Sequence, residues 1–333
     1  MNDGLLLINL GTPDFPDRTS VRRYLRQFLA DERVINLPAP LRYLLLYGFI
    51  LPFRPKKTAL AYQAIWTDEG SPLLIHSQQL CAKLQQRLGK THKVVLAMRY
   101  GKPDISTALN ELQECKKIIV LPLYPQYSSA ATGSSLEEVF NQLNQKLTFP
   151  SLSVIRDFHD HPGFIAAQAE LIKPYVENHD HLLLSYHGLP ENHLLHGDCK
   201  TQCVISCSAK SANYASCYRA QSIHTSTLLA QTLNLNSHKY STSFQSRLGR
   251  TPWIKPYTDK ILSELANQGV KRLAIACPSF VADCLETLEE IGIRAREQWL
   301  ALGGEQLTLI PCVNESDLWV EAILNLTELS SPK

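Results

Sequence analysis

The sequence predicts an α/β protein with two similar lobes, each built on a parallel sheet flanked by helices. Short apolar runs of strand length recur through both halves of the chain, helical segments separate them, and 333 residues exceed what one hydrophobic core comfortably organises. The predicted strands lie at 4–10, 93–98, 117–123, 152–155, 181–186, 238–244, 271–276 and 307–311. Because alternating strands and helices form parallel sheets, we expect a lobe boundary near 150–175 and a crevice between the lobes.

The composition is that of an ordinary globular protein. Hydrophobic residues make up 44% of the chain, charged residues make up 19%, and the formal net charge is +2. So small a net charge argues against a nucleic-acid partner, because proteins that bind nucleic acids usually carry a strongly basic surface. The first residues lack the basic region and cleavage site of a signal peptide. We therefore expect a cytoplasmic protein whose nine cysteines stay reduced or bind metal.

The first half of the chain contains two loops with the composition of ligand-binding loops. The first strand is followed by Gly11, but the G-x-G-x-x-G pattern of dinucleotide-binding proteins is absent, which disfavours a nicotinamide enzyme. A helix is predicted over 104–114. The hydroxyl-rich loop 124–135 leads into a helix predicted to begin at Leu136. That loop suits either an anion or a simple N-cap cluster.

The most apolar stretch is 36–55. It is too short, and too interrupted by Pro38, Pro40, Arg42 and Pro52, to span a bilayer. One interpretation is a helix of the core. The other is an apolar lip that touches a membrane surface or covers a large, flat ligand.

The second half repeats the alternation of strands and helices. Helices are predicted at about 162–177, 221–233, 255–268 and 284–301. A closing helix over 317–328 is expected to pack back across the molecule. The repeated plan favours two lobes of similar topology.

The strongest candidate for chemistry is His187. It ends an apolar strand, and Gly188 and Pro190 break the strand directly after it. The carboxyl ends of parallel strands are where open α/β sheets bind ligands. A histidine there can accept a proton or bind a metal near neutral pH, although a purely structural histidine is the alternative.

Two further stretches of the second half are expected to reach the same crevice as this histidine. One is the basic and aromatic loop 244–259, and the other is 277–290. In the latter, Asp283, Glu286 and Glu290 have spacings that place three carboxylates on one face of a predicted helix. Like charges so close raise one another's pKa unless a cation or proton is shared, so this face suits a metal or proton path. A solvated acidic face is the alternative.

Five short motifs follow one another along the chain. They are Leu7–Pro13, Leu123–Ser128, Ser185–Pro190, the stretch from Phe244 through Trp253, and Asp283–Leu288. In this order they resemble the motifs of ferrochelatase, and the resemblance runs from about residue 5 to 325. It implies a lyase that inserts ferrous iron into protoporphyrin IX, the last step of haem synthesis. It also implies two Rossmann-like lobes around a central cleft.

The resemblance assigns roles to individual residues. His187 matches the family's catalytic histidine, and Glu286 matches the carboxylate that faces it across the macrocycle. Asp283 and Glu290 match the acidic side of the route for iron or protons, so all four residues are implied ligands of the substrate iron. The residues implied to contact the porphyrin are Leu10, Tyr127, Ser185 and Trp253. Cys284 departs from the family, because many relatives have histidine at that position.

The resemblance also divides the chain into domains. The first lobe is expected over 1–165 and carries the lip 36–55, the second is expected over 166–316, and the closing helix belongs to 317–333. The lip of this family also touches the membrane, which implies peripheral contact of a cytoplasmic enzyme with the inner membrane surface. A coproporphyrin ferrochelatase, a cobalt chelatase of the same fold and a non-catalytic bilobed metal- or haem-binding protein are the alternatives.

A cysteine-rich segment over 197–218 is longer than in simpler relatives. Cys199, Cys203, Cys207 and Cys217 have the spacing C-x3-C-x3-C-x9-C, which supplies four thiolates. Such a set can hold a [2Fe–2S] cluster, and the resemblance to some bacterial ferrochelatases favours that interpretation. Tetrahedral zinc is the alternative, while a reducing cytoplasm disfavours disulfides.

Overall fold

The strands of the protein form two parallel sheets, which confirms the predicted fold class. The computed structural model describes residues 3–194, 216–247, 249 and 251–329. Within these residues the first sheet has the order β2-β1-β3-β4 and the second has the order β6-β5-β7-β8. The strands are β1 Asp3–Gly11, β2 His92–Tyr100, β3 Lys117–Pro122, β4 Ser151–Val154, β5 His181–His187, β6 Tyr240–Gln245, β7 Arg272–Ala276 and β8 Gln306–Leu309.

Helices connect these strands, as parallel pairing requires. The described α-helices are α1 Arg18–Ala30, α2 Ala39–Leu45, α3 Leu51–Gln63, α4 Pro72–Leu88, α5 Ile105–Glu111, α6 Ser134–Leu143, α7 Pro162–Val176, α8 Tyr218–Thr232, α9 Thr258–Asn267, α10 Arg296–Ala301 and α11 Asp317–Leu326. The π-helical segments are Leu46–Ile50, Ser129–Gly133 and Leu285–Ala295. Most of these helices follow the predicted pattern, but α4 was not predicted.

The fold packs as two compact units. The first comprises Met1–Tyr124, Ser129–Asp157 and Ile323–Lys333, and the second comprises Pro125–Ser128 and Phe158–Ala322. The lobes expected over 1–165 and 166–316, with a closing segment over 317–333, stay a prediction.

Each unit has a core of its own. In the first unit, Leu6, Val95 and Val120 of the sheet pack with Ala108 of α5 and Val139 of α6. These strands are buried on both faces, which explains why the sequence reads as continuous apolar runs rather than as alternating ones.

The core of the second unit is built in the same way. Leu183 of β5 and Ile275 of β7 pack with Leu262 of α9, Ile291 of the last π-helical segment and the fully buried Trp299 of α10. The helix that carries the predicted acidic residues is therefore fixed to the sheet through its apolar side.

The apolar stretch 36–55 is helical from Ala39 onward, and it combines fully buried with exposed apolar side chains. Leu46 and Leu51 are fully buried, while Leu44, Phe49 and Phe53 are 61–75% exposed. Within the described residues, no helix combines the length and apolarity needed to cross a membrane.

The hydroxyl-rich loop becomes helical earlier than predicted. A π-helical turn begins at Ser129 and α6 begins at Ser134, so the predicted start at Leu136 is wrong. The hydroxyl of Ser134 hydrogen-bonds to Asp31 at 2.6 Å. Ser134 therefore belongs to an internal polar network.

Asp31 is the centre of that network in the first unit. Its carboxylate also accepts hydrogen bonds from the Tyr100 hydroxyl and the Arg99 guanidinium, both at 2.8 Å. Burial alone would raise the pKa of Asp31, but the hydrogen bonds from Ser134, the Arg33 amide and Tyr100, together with the Arg99 charge, outweigh it and lower the pKa.

We expect Asp31→Asn to lower the free energy of unfolding by about 1–3 kcal/mol at neutral pH, because it removes the negative charge that accepts hydrogen bonds from Arg99, Tyr100 and Ser134. A carboxyl group with a lowered pKa stabilises the fold above its unfolded-state pKa of about 3.9 and loses that contribution as the pH falls through the folded-state value. The difference from wild type should therefore shrink in acid. Urea unfolding across pH, with the exposed Asp68→Asn as control, measures it. A difference that stayed constant with pH would contradict the assignment.

Candidate active site

The second sheet brings three chain segments together at the carboxyl ends of its strands. β5 ends at His187, which pairs in register with Gln245, the last residue of β6. β7 lies on the other side of β5 and ends at Ala276, so the segment after β7 leaves from the same edge. In this strand order, the edge between β5 and β7 is a topological switch point, where open α/β sheets bind ligands.

His187 is held through both its main chain and its ring. Its amide donates to the Ser279 hydroxyl at 3.0 Å, and its carbonyl accepts from the Tyr218 hydroxyl at 2.8 Å. Ring Nδ1 lies 2.6 Å from the Gly188 carbonyl oxygen. Because a carbonyl can only accept, Nδ1 carries a proton in this contact, and Nε2 is the nitrogen that bears the lone pair in the neutral ring. The partly exposed imidazole thus presents Nε2 as a base or metal ligand.

Gly188 allows two segments to approach the end of β5 closely. Its amide donates to the Gln245 carbonyl at 2.8 Å. A Cβ atom at this position would lie 2.6 Å from that same oxygen and 3.3 Å from Cε3 of Trp253. Trp253 also pairs with Pro190 in an isolated antiparallel bridge. The predicted Trp253 is therefore packed beside the residue that follows His187.

The buried side chain of Gln245 joins β5 to the helix that follows β7. Its Oε1 accepts a hydrogen bond from the Ser185 hydroxyl at 2.7 Å, and its Nε2 donates to the Glu286 carbonyl at 2.8 Å. Ser185 is fully buried, and its hydroxyl also lies 3.0 Å from that of Thr258. The hydroxyl of Ser185 thus contacts Gln245 and Thr258 inside the fold.

Glu290 is bound by Ser246, the residue after β6. The Ser246 amide donates to Oε1 at 2.8 Å, and its hydroxyl donates to Oε2 at 2.5 Å. Ser246 has a φ of 66°, an unfavourable conformation for a residue other than glycine. Glu290 and Ser246 also line a pocket of about 160 Å³ with Arg247 and Arg294. Both carboxylate oxygens of Glu290 are therefore occupied by donors.

Asp283 does not share a helix face with Glu286 and Glu290, so that expectation is wrong. The helix begins at Leu285 and is π-helical, which leaves the buried Asp283 outside it. Its carboxylate accepts from Thr287 at 2.9 Å and from Asn314 at 2.8 Å. Asp283 thereby anchors the start of the helix.

Cys284, the residue that departs from the family pattern, is buried at the start of the same helix. Burial and the neighbouring Glu286 carboxylate raise the pKa of the Cys284 thiol well above its ordinary value. The thiol stays protonated near neutral pH, and a metal ligand must be a thiolate. Glu286 is partly exposed, like His187.

The remaining predicted residues fall in different places. Tyr127 is partly exposed in the second unit, where its amide donates to Gln221 of α8 at 2.7 Å. Leu10 is partly exposed in β1 of the first unit. Cys217 is the partly buried N-cap residue of α8. Three of the four cysteines of the predicted cluster lie outside the described residues: Cys199, Cys203 and Cys207.

The sequence motifs assign no role to three residues of the site, although each residue lies in the stretch 244–259 or 277–290, which was expected to reach the site. They are Gln245, Ser246 and Ser279, which bind the predicted residues through hydrogen bonds. A long polar side chain at the end of an otherwise small or apolar strand was the available signal for Gln245, because a buried amide needs partners.

Solved structures of similar fold include two chelatase structures. SirB from Bacillus subtilis with Fe3+ is 12% identical, with a TM-score of 0.55 over 98% of this chain and 95% of that chain. The sirohydrochlorin chelatase SirB from Bacillus subtilis subspecies spizizenii in complex with cobalt is 10% identical, with a TM-score of 0.56 over 98% of this chain and 94% of that chain. At this identity the likeness concerns the fold alone.

Sequence comparison identifies the family. The family model described as Ferrochelatase matches residues 2–330. A Legionella pneumophila (strain Lens) protein named Ferrochelatase is 55% identical over 98% of this chain and 98% of that protein. A Coxiella burnetii (strain Dugway 5J108-111) protein of the same name is 50% identical over 98% of this chain and 93% of that protein. These matches confirm the resemblance seen in the motifs, and the chain belongs to the ferrochelatase family.

Proposed function

We propose that this chain inserts ferrous iron into protoporphyrin IX, the terminal step of haem synthesis, with His187 and Glu286 as its catalytic residues. The observation that carries the proposal is the state of His187. Its Nδ1 is bound to the Gly188 carbonyl, so its Nε2 lone pair is available at the switch point of the second sheet. The assay is anaerobic incubation with ferrous iron and porphyrin, followed by the change in the visible spectrum.

Insertion requires that two pyrrole protons leave while iron exchanges water for four ring nitrogens. A neutral imidazole nitrogen can accept one proton or serve as an iron ligand. A carboxylate can do the same from a second direction and balances the charge of the cation. His187 and Glu286 supply these two groups on segments that Gln245 ties together.

The two other acidic residues fit positioning roles better than iron binding. Asp283 is buried with its carboxylate bound to Thr287 and Asn314. Both oxygens of Glu290 accept hydrogen bonds from Ser246. These hydrogen bonds hold both side chains in place, so an iron ion could reach only the remaining lone pairs of their oxygens.

Contacts with the flat face of the macrocycle are proposed for Tyr127 and Trp253. Aromatic rings bind a large π-system through stacking or edge contacts, and Trp253 already packs beside Gly188. Ser185 is proposed to act through Gln245, because its hydroxyl is buried and bound there. The contact expected for Leu10 stays a prediction.

Parallel assays with coproporphyrin and with cobalt test the alternative substrates.

We expect His187→Ala and Glu286→Gln each to reduce the rate of iron insertion at least about 100-fold, the usual contribution of a positioned acid or base. Glu286→Gln retains the side-chain volume, so its loss reports the charge. The matched control is Glu289→Gln on the same helix, whose carboxylate pairs with Arg294 at 2.9 Å. Near-normal turnover in His187→Ala, with an unchanged circular dichroism spectrum, would refute the assigned role.

We further propose that Cys199, Cys203, Cys207 and Cys217 hold a [2Fe–2S] cluster, with zinc as the alternative occupant. The four-cysteine spacing supports this, and so does the place of Cys217 at the N-cap of α8. Backbone amides at a helix N-terminus favour the thiolate form that a metal requires. When bound, the cluster would cross-link the segment to α8.

Anaerobically purified protein should then be red-brown and contain iron and acid-labile sulfide in equal amounts. Cys217→Ser should remove the colour and the sulfide. The matched control is Cys81→Ser, because burial raises the pKa of the Cys81 thiol to about 11 and keeps it protonated. Colourless protein that contains zinc but no sulfide would establish the alternative.

A peripheral membrane contact of a cytoplasmic enzyme is proposed for the helical stretch 36–55. Its exposed apolar side chains include Leu41, Leu44, Phe49 and Phe53. Contiguous exposed apolar groups of this kind mark interaction surfaces, and an interfacial helix inserts them just below the lipid headgroups.

Replacing Leu44, Phe49 and Phe53 by serine should weaken binding to phosphatidylethanolamine–phosphatidylglycerol vesicles, measured by flotation. Each large apolar side chain transferred from water contributes roughly 1.5 kcal/mol or more when fully buried. The matched control replaces Phe140, Leu147 and Phe149, which are 51%, 104% and 63% exposed outside this stretch. Equal loss of vesicle binding in both triple variants would rule out a specific contact.

A further inference from the structure

Two histidines and an aspartate come together outside the residues assigned to iron insertion. His159 and Asp160 lie in the turn before α7, and His224 lies on α8. Nε2 of His159 is 3.5 Å from Nδ1 of His224 and 3.8 Å from Oδ2 of Asp160. All three ligand atoms lie within 4.8 Å of one another.

These distances fit a metal ion better than a strong hydrogen bond. In a tetrahedral site with bonds of about 2.05 Å, neighbouring ligand atoms are roughly 3.4 Å apart. The spacing around His159 is close to that value, whereas a good hydrogen bond between two ring nitrogens would be about 2.9 Å long. Small side-chain movements would allow all three groups to share one ion.

Buried neighbours hold the main chain around the cluster in place. The Thr225 hydroxyl lies 2.8 Å from the His159 carbonyl oxygen, which fixes the turn against the residue next to His224. The amide of Gln126 donates to the same hydroxyl at 3.1 Å. Phe158 packs in the core against Trp319 at a ring separation of 5.3 Å. These contacts fix the main-chain positions from which His159 and His224 extend.

The charges of the cluster also suit a cation. His159 and His224 each supply a ring nitrogen, the ligand type that zinc and cobalt prefer. Asp160 contributes the negative charge, and its side chain is 52% exposed, which leaves a route from solvent.

We propose that His159, Asp160 and His224 bind a divalent transition-metal ion in addition to the substrate iron. Two imidazoles and one carboxylate match the ligand preferences of zinc, cobalt and ferrous iron, and disfavour magnesium and calcium, which prefer oxygen ligands alone. Three protein ligands leave at least one coordination position for water or another ligand.

The probe is Co2+ alone, and every protein in the test carries His187→Ala. The imidazole of the proposed catalytic site then cannot add to the cobalt binding that is measured. Titration calorimetry should show that His224→Gln removes one equivalent of bound Co2+. Asp160→Asn should weaken the same equivalent about tenfold or more, since even indirect partners of metal ligands contribute that much. His238→Gln, at an exposed histidine outside the cluster, should change neither value.

Crystals soaked in cobalt chloride provide the position. Anomalous diffraction at the cobalt edge should show a peak between the rings of His159 and His224, and His224→Gln should abolish it. Both variants alter side chains that are at least partly exposed, so the fold should survive and circular dichroism verifies it. Unchanged cobalt stoichiometry in a folded His224→Gln protein, or no peak at the cluster, would overturn the proposal.

Discussion

The site depends on the hydrogen bonds that the side-chain amide of Gln245 makes to two neighbouring segments. Its oxygen binds Ser185 of β5, its nitrogen binds the Glu286 carbonyl, and its main-chain carbonyl accepts the Gly188 amide. The side chain is buried, so losing either amide contact would leave an unpaired polar group at a cost of about 1–3 kcal/mol. The strand end that carries His187 and the helix that carries Glu286 therefore cannot move independently. A polar residue in the core thus fixes the two groups proposed to perform the chemistry.

The two sheets share one topology but use the same edge differently. In the first unit, the residues at the end of β1 form internal polar pairs: Asn9 donates to Ser77 at 3.1 Å, and Thr12 donates to Ser71 at 2.8 Å. These pairs attach the end of β1 to α4. In the second unit the equivalent strand ends in a partly exposed histidine, whose Nδ1 contacts the Gly188 carbonyl oxygen. Strand order places a switch point in each sheet, and the side chains at the strand ends determine which chemical groups each edge presents.

The sequence predicts what depends on local pattern and misses what depends on tertiary packing. Continuous apolar runs identified the strands, and a histidine before glycine and proline identified the end of β5. The spacing of apolar residues does not reveal the π-helical geometry of 285–295, because over eleven residues the same pattern fits an α-helix and a π-helix. The burial of Asp283 depends on Asn314, which is distant in the chain, and the approach of His159 to His224 joins residues 65 positions apart. Hydrogen-bond partners of this kind have no signature in a local window.

The π-helix itself explains how the acidic residues are kept in place. Such segments are less stable than α-helices and persist where packing or function requires them. Here Ile291 and Ala295 are buried in the core of the second unit, which holds the apolar side of the helix. Ser246 binds Glu290 on the polar side, and Ser246 tolerates a positive φ to do so. Strain at that residue is balanced by two hydrogen bonds to a carboxylate. With both sides fixed, the main chain of Glu286 in the first turn is held in place, which is the preorganisation that its proposed catalytic role requires.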